Sequence, residues 1–306
     1  MKKQLFIVIA LFILLFAMAS CGIDKAASDQ SYASEMLAAE KESIIAGKIS
    51  PEHEYYKGAV ERDPECADYI YEISIYDKEI DDTFVIHLAL PPEYDSSEKY
   101  PMFIMTDGIW RLNDHLELRN MMKQGEINPI ITVSIGYPNG YNYLEIRERD
   151  FLADPESYLH FIVDNLVPYL SQNYPVDSGN MTIAGHSYGG YWAFYALFNS
   201  DTIGKNTFKN YFIASPSFQA STGNKNIAKF EKEYHSRSKG LNCNVYVTAG
   251  SLEHPYFIKP ITEFTDFLKE REYDGLEINY EIFDGYTHEG VYGPAVKSAA
   301  LLFYGK

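Results

Sequence analysis

The sequence predicts an α/β protein: a mostly parallel central sheet with helices on both faces and an N-terminal antiparallel hairpin. Three observations predict it. From Tyr69 onward, short runs rich in β-branched and aromatic residues alternate with segments of helical apolar spacing, as a sheet covered on both faces requires. Two of the first runs, YIYEISIYD and TFVIHLALP, are separated only by the acidic turn Lys78–Asp82, which reads as a hairpin. The stretch MTIAGHSYGGYWAFYALF (Met181–Phe198) then joins an apolar run, a glycine-bracketed turn and an aromatic helical segment without a break.

The remaining elements follow in order. YPMFIMTDG and INPIITVSIGYP are strands ending in turns, with the helical RLNDHLELRNMMKQ between them. Asp154-Pro155-Glu156 is a helix start, with a capping acid, proline at the first position and a second acid. Tyr158, Phe161, Ile162, Leu166, Tyr169 and Leu170 share one face of that helix, and Pro168 should kink or restart it. GYWAFYALFN is apolar nearly all round, so it should be a buried helix. NYFIASPS, CNVYVTAGS and EINYEIFDG are three further strands, and IAKFEKEYH, KPITEFTDFLKERE and GPAVKSAALLFY are the helices among and after them. In sheets of this kind, sites form at the carboxyl ends of the strands.

The chain begins with Lys2 and Lys3, an unbroken apolar run from Leu5 to Phe16, and small residues leading to Cys21. That order reads as an export signal and is too short for a comfortable membrane span. Met18-Ala19-Ser20-Cys21 resembles a bacterial lipobox, which implies that Cys21 becomes a lipidated first residue. The expected organisation is therefore a signal over residues 1–20, a polar, Ala/Ser-rich tether over 21–50 and a folded domain over 51–306. The expected location is the bacterial cell envelope, lipid-anchored after export, or secreted if the lipobox is not used.

A formal charge of −17 argues against holding nucleic acid or an anionic membrane surface by charge. Beyond Cys21 only Cys66 and Cys243 remain, as a disulfide pair or as two buried free thiols.

The turn after MTIAG is Gly185-His186-Ser187-Tyr188-Gly189. A G-x-S-x-G on a strand-to-helix turn is the context of a nucleophile elbow, as in the α/β-hydrolase fold: the glycines let the backbone close around a strained serine, and the helix N-terminus offers N–H groups to an oxyanion. A nucleophilic Ser187 needs a base and an acid, and in that fold they follow the serine in the order acid, then histidine. Three histidines follow it. His235 lies in the charged EKEYHSRSK and reads as solvated; His288 lies on the loop between the last strand and the last helix, where the base belongs; His254 also sits beside a strand end. Glu253 falls on the loop after the strand Asn244–Ala249 and is the candidate acid, with Asp284, at the end of a strand, as the alternative. The oxyanion donors expected are the Tyr188 N–H and that of Ile109, or of Trp110, after the strand ending at Asp107-Gly108. No cluster of metal-ligand residues stands out, and the chemistry calls for no metal or organic cofactor.

FIMTDGIW, SIGYPN with RERDF, GHSYGG, FIASPSF, VTAGSLE and YTHEG occur here in the order in which the esterase D family carries them. The resemblance runs from about Tyr69 to the C-terminus and implies the α/β-hydrolase fold and an esterase domain. RERDF, SPSF and GSLE look most like the branch that hydrolyses ester bonds of iron-chelating trilactones, although Phe218-Gln219 stand here where that branch carries tryptophans. By this resemblance Glu253 matches the acid position. It also places Arg147 and Arg149 beside the cleft, where an arginine faces an anionic substrate or makes a structural salt bridge. Trp110, Tyr188, Trp192, Phe218 and Tyr256 make an aromatic-rich set that would suit a phenolic acyl group, or that forms part of the core, as such residues more often do.

The expected function is a serine carboxylic-ester hydrolase acting on a small-molecule ester, of siderophore, phenolic or carbohydrate type. Two rivals use the same scaffold: acyl transfer to an alcohol, and a non-catalytic lipid-anchored protein that captures a ligand.

Overall fold

The computed structural model describes residues 44–49, 56–220 and 226–306. The proposed signal, Cys21 and most of the 21–50 tether lie outside the described residues. No helix among the described residues is long and apolar enough to cross a membrane.

Among the described residues, nine strands form one sheet in the order β1-β2-β3-β5-β4-β6-β7-β8-β9. They are β1 (Ile44–Lys48), β2 (Ile70–Asp77), β3 (Asp82–Ala89), β4 (Tyr100–Met105), β5 (Ile131–Gly136), β6 (Val176–His186), β7 (Asn210–Ala214), β8 (Gly240–Gly250) and β9 (Asp274–Phe283). The hairpin read from the sequence is β2–β3, in antiparallel register from Ile70 opposite Ala89 to Asp77 opposite Asp82. β3 also runs antiparallel to β5, and every pairing from β5 through β4 to β9 is parallel. β4 and β5 exchange places in the order, so the carboxyl ends of β4 and β6 lie side by side where the winding reverses. A crevice for a ligand forms at such a point.

The helix Tyr188–Phe198 carries the largest apolar load, and Gly189 through Phe198 are all buried. Trp192 is fully enclosed, with its indole N–H donating to the Pro155 carbonyl at 3.1 Å and its ring edge-on to Tyr158. Asp154 caps the helix Pro155–His160 by accepting from the Ser157 N–H. The chain does not remain α-helical beyond it: a π-helical turn over Phe161–Leu166 precedes the helix Val167–Asn173, whose second residue is Pro168. Pro168, which has no N–H to donate, thus stands just after the π-helical turn, where the regular α-helical ladder is already interrupted.

Short helices over Lys57–Arg62, Cys66–Tyr69 and Tyr143–Glu148 carry no strong sequence period and escape the sequence reading. Cys66 and Cys243 are both free and buried, and burial pushes the Cys243 thiol up to about 12, so it is inert at neutral pH.

The helix Leu112–Lys123, which follows the β4 loop, is pinned to the sheet by polar contacts. His115 is fully buried, with Nδ1 at 2.6 Å from Thr132 Oγ1 and Nε2 at 2.9 Å from Ser134 Oγ, both on β5. Burial, with a smaller contribution from His87, lowers its pKa to about 3, so one ring nitrogen donates and the other accepts. An unfolded histidine takes its proton near the ordinary value, so stability is full above about pH 6.5 and falls as pH drops from there towards 3. We expect the unfolding free energy of the native protein to fall more steeply than that of a His115→Gln variant as pH drops from about 6 to 4, by about 1 kcal/mol per pH unit. Denaturant titrations across that window measure the difference.

Candidate active site

β6 runs into the helix Tyr188–Phe198 through one residue, Ser187, at φ 60° and ψ −116°. For a residue with a side chain such a backbone costs about 1–3 kcal/mol and persists only where its surroundings over-determine it. They do so here through contact. A Cβ on Gly185 would lie 2.1 Å from the Gly189 carbonyl oxygen, and one on Gly189 would lie 2.4 Å from Thr106 Oγ1. The elbow is therefore packed against the loop after β4. Ser187 N–H donates to the Ala214 carbonyl (3.0 Å), and Ser217 N–H donates to the Ser187 carbonyl (3.0 Å), which ties the elbow to the end of β7. Ser187 Oγ lies 3.1 Å from Ser217 Oγ.

Glu253 stands on the loop after β8 and His288 on the loop after β9. The His288 Nδ1–H donates to Glu253 Oε2 at 2.7 Å. The other oxygen, Oε1, accepts from Ser215 Oγ at 2.6 Å and from the Gly250 N–H at 2.7 Å. Burial opposes the charge on this carboxylate, but the donors from His288, Ser215 and Gly250 outweigh it and hold its pKa below the usual range. With Nδ1 turned to Glu253, Nε2 is the ring nitrogen that this carboxylate does not engage.

The histidine loop is tethered to the elbow by His186. Its Nε2–H donates to the His288 carbonyl at 2.8 Å, and the two rings lie 4.7 Å apart. Burial, then the positive field of Arg111, holds His186 well below the usual histidine pKa and keeps it neutral.

The alternatives left open by the sequence have other employment. His254 caps the helix Pro255–Glu270, its Nδ1 accepting from the Tyr256 N–H. Asp284 accepts from Ser251 Oγ at 3.1 Å. His235 packs edge-on to Tyr273.

After β4, Asp107 takes a left-handed conformation and Gly108–Trp110 form a 3₁₀ turn. The Trp110 N–H donates to the Asp107 carbonyl at 3.0 Å, which commits it within the turn. The Asp107 carboxylate receives Arg147 through two bonds, Nε at 2.6 Å and Nη2 at 3.2 Å. The same guanidinium lies 5.3 Å from the ring centres of both Trp110 and Tyr188. Arg147 thus bridges the two loops that carry the candidate oxyanion donors. Arg149 is bound by Asp150 through Nε and Nη2 and by Asp82 through Nη1, so its nitrogens hold the β2–β3 hairpin end in place.

Trp110 is 52 % exposed and Tyr256 64 % exposed, so both present ring surface to an incoming molecule. Phe218 is half-buried against Phe194 and Phe264. A groove of 460 Å³ runs past it, lined by Gln219, Tyr256, Pro260, Phe264 and Phe267. Among the described residues, no group of three or more His, Cys, Asp or Glu side chains is arranged to hold a metal ion. The sequence reading overlooked Asp107, His186, Ser215 and Ser217. The signal for the last three was present in GHSYGG and FIASPSF, whose serines and histidine are otherwise unneeded for a turn.

The sheet order, the strained turn after β6 and the succession of loops define an α/β hydrolase. The chain belongs to the esterase family: the family model "Putative esterase" matches residues 78–289. It is 25% identical over 252 residues to ferri-bacillibactin esterase BesA of Bacillus subtilis (strain 168), covering 72% of this chain and 84% of that protein. A crystal structure of BES protein from Bacillus cereus superposes with a TM-score of 0.68 at 25% identity, covering 77% of this chain and 94% of that one. Siderophore hydrolase EstA from Aspergillus nidulans shares the fold with a TM-score of 0.64 at 18% identity, over 78% of this chain and 95% of its own. The resemblance to the siderophore-ester hydrolase branch holds, and the protein is a carboxylic-ester hydrolase.

The contact at Gly185 is backbone against backbone, so no side-chain rotation can relieve an added methyl. Gly185→Ala is expected to destabilise the fold by about 1–3 kcal/mol or more and to lower esterase activity. Denaturant midpoints and turnover of a chromogenic ester, measured on the same preparation, test both effects.

Proposed function

We propose that Ser187 is the nucleophile, His288 the general base and Glu253 the residue that orients it. The observation that carries this reading is the 2.7 Å bond from His288 Nδ1–H to a buried Glu253, on a loop tethered by His186 to the strained Ser187. His288 Nε2 takes the Ser187 proton as Oγ attacks the ester carbonyl, and the resulting imidazolium is stabilised by Glu253 without proton transfer to it. The N–H groups of Tyr188 and Ile109 receive the tetrahedral oxyanion, helped by the positive end of the helix that starts at Tyr188. The imidazolium returns its proton to the leaving alcohol. Water, activated by the same histidine, then releases the acyl group and restores Ser187.

The substrate class we propose is the siderophore ester, with phenolic and carbohydrate esters as the wider group. The name of the Bacillus subtilis relative supports it, as does Arg147 near the rings of Trp110 and Tyr188, an arrangement suited to an aromatic acyl group. Phe218, one residue past Ser217, and the adjoining groove supply further apolar surface.

Ser187→Ala is expected to lower ester turnover by about 10⁴-fold or more, and Glu253→Gln by about 10²–10⁴-fold, with the fold intact. A panel of trilactone siderophores, feruloyl and acetyl esters, with circular dichroism of each variant, tests the assignment. Undiminished hydrolysis by Ser187→Ala would refute it.

We also propose export and anchoring through a lipid on Cys21, carried by the basic, apolar and lipobox-like order of residues 2–21. Cys21→Ala is expected to move the protein from the membrane to the soluble fraction, and mass spectrometry of the mature N-terminus checks the modification.

A further inference from the structure

Outside the three residues just assigned, one short turn touches both ends of that set. Ser215-Pro216-Ser217 leaves β7 and passes between the elbow and the β8 loop. We propose that this turn aligns the reaction machinery: Ser215 is a positioning residue for Glu253, and Ser217 is a hydrogen-bonding partner of the nucleophile. The proposal rests on the reading of Ser187, His288 and Glu253 given above.

Four contacts carry it. Ser215 Oγ donates to Glu253 Oε1 at 2.6 Å, and the Ser215 N–H donates to the Thr248 carbonyl on β8 at 2.7 Å. Two residues on, Ser217 Oγ stands 3.1 Å from Ser187 Oγ, and its N–H donates to the Ser187 carbonyl at 3.0 Å. Both hydroxyls are buried, at 0% and 4% residue exposure, so water does not compete for them. Pro216 between them removes one rotatable backbone angle, and its Cα lies 3.1 Å from where a Cβ on Gly190 would stand. The turn is therefore wedged against the elbow helix.

The backbone at Ser215 gives an independent indication. Its φ is 40°, a left-handed value that glycine adopts without strain and serine does not. Glycine here would relieve the backbone but remove the hydroxyl that holds Glu253 Oε1. Serine retained in a conformation that favours glycine is accounted for by that hydroxyl. At the other end, a Ser217 O–H donating to Ser187 Oγ leaves the Ser187 proton free to point at His288. It also stabilises the negative charge that grows on Oγ as that proton departs.

The test uses the purified full chain and the rate at which a fluorophosphonate phosphonylates Ser187, read by mass spectrometry. Labelling of Ser187 in the native protein, lost in His288→Ala, establishes the underlying reading by itself; its absence overturns that reading and this proposal together. Given labelling, Ser217→Ala and Ser215→Ala are each expected to slow it by about tenfold with the thermal midpoint retained. Ser215→Ala should also move the acid limb of the labelling-rate profile to higher pH, because Glu253 loses one of the donors that keep it charged. In a Glu253→Ala background the effect of Ser215→Ala should vanish while that of Ser217→Ala persists. Should Ser215→Ala unfold, Ser215→Gly removes the same hydroxyl without the backbone strain. Native labelling rates in the Ser217 and Ser215 variants, or a Ser215 effect undiminished in the Glu253→Ala background, would overturn the proposal.

Discussion

At Ser187 the chain must leave a strand and start a helix within a single residue, and it manages this only at φ 60° and ψ −116°. Nothing in a serine favours that conformation. It is imposed by close packing, because Gly185 meets the carbonyl of Gly189, Gly189 meets Thr106, and Gly190 would press a side chain onto the Ala214 carbonyl at 2.7 Å. Those contacts reach the loops after β4 and β7 and so set where the neighbouring loops can lie. The glycine pattern and the strained serine form a single steric arrangement, and a methyl at any of the three positions would disturb all of it.

Around this elbow the polar groups are arranged to keep one negative charge buried and one imidazole neutral. Glu253 keeps its charge because its two oxygens receive three donors, from His288, Ser215 and Gly250. His186 is held neutral beside the His288 ring, so burial keeps a positive charge away from that side of it. Its N–H then serves as a mechanical tie to the His288 carbonyl. Each charged or neutral state has a different cause, the first hydrogen bonding and the second burial.

The chain as a whole carries −17, yet the candidate cleft contains an arginine 5.3 Å from the ring centres of both Trp110 and Tyr188. Asp107 neutralises part of that charge through two bonds and also determines its direction. Total charge therefore does not by itself describe the electrostatics of this cleft, since exposed charges more than a Debye length away are largely screened.

Local pattern made a large part of the molecule legible. The β2–β3 hairpin, the alternation that yields a parallel sheet, the buried helix after Ser187 and the glycine-bracketed turn all follow from period, turn chemistry and steric need within a few residues of each other. The order of Ser187, Glu253 and His288 along the chain was legible for the same reason, since each sits just past an apolar strand. The π-helical turns between Arg149 and Leu166 were not, because no side-chain period announces a register change of one residue. Only the tertiary structure decided that His288 meets Glu253 while His254 caps a helix and Asp284 turns to Ser251. It also decided that Arg149 is consumed by Asp82 and Asp150, and that Ser215 and Ser217 face opposite ends of one site. The physical reason is that the Ser217–Ser187, Asp284–Ser251, His288–Glu253, Ser215–Glu253 and Arg149–Asp82 pairings join residues 30 to 67 positions apart, across strands whose order in the sheet differs from their order in the chain.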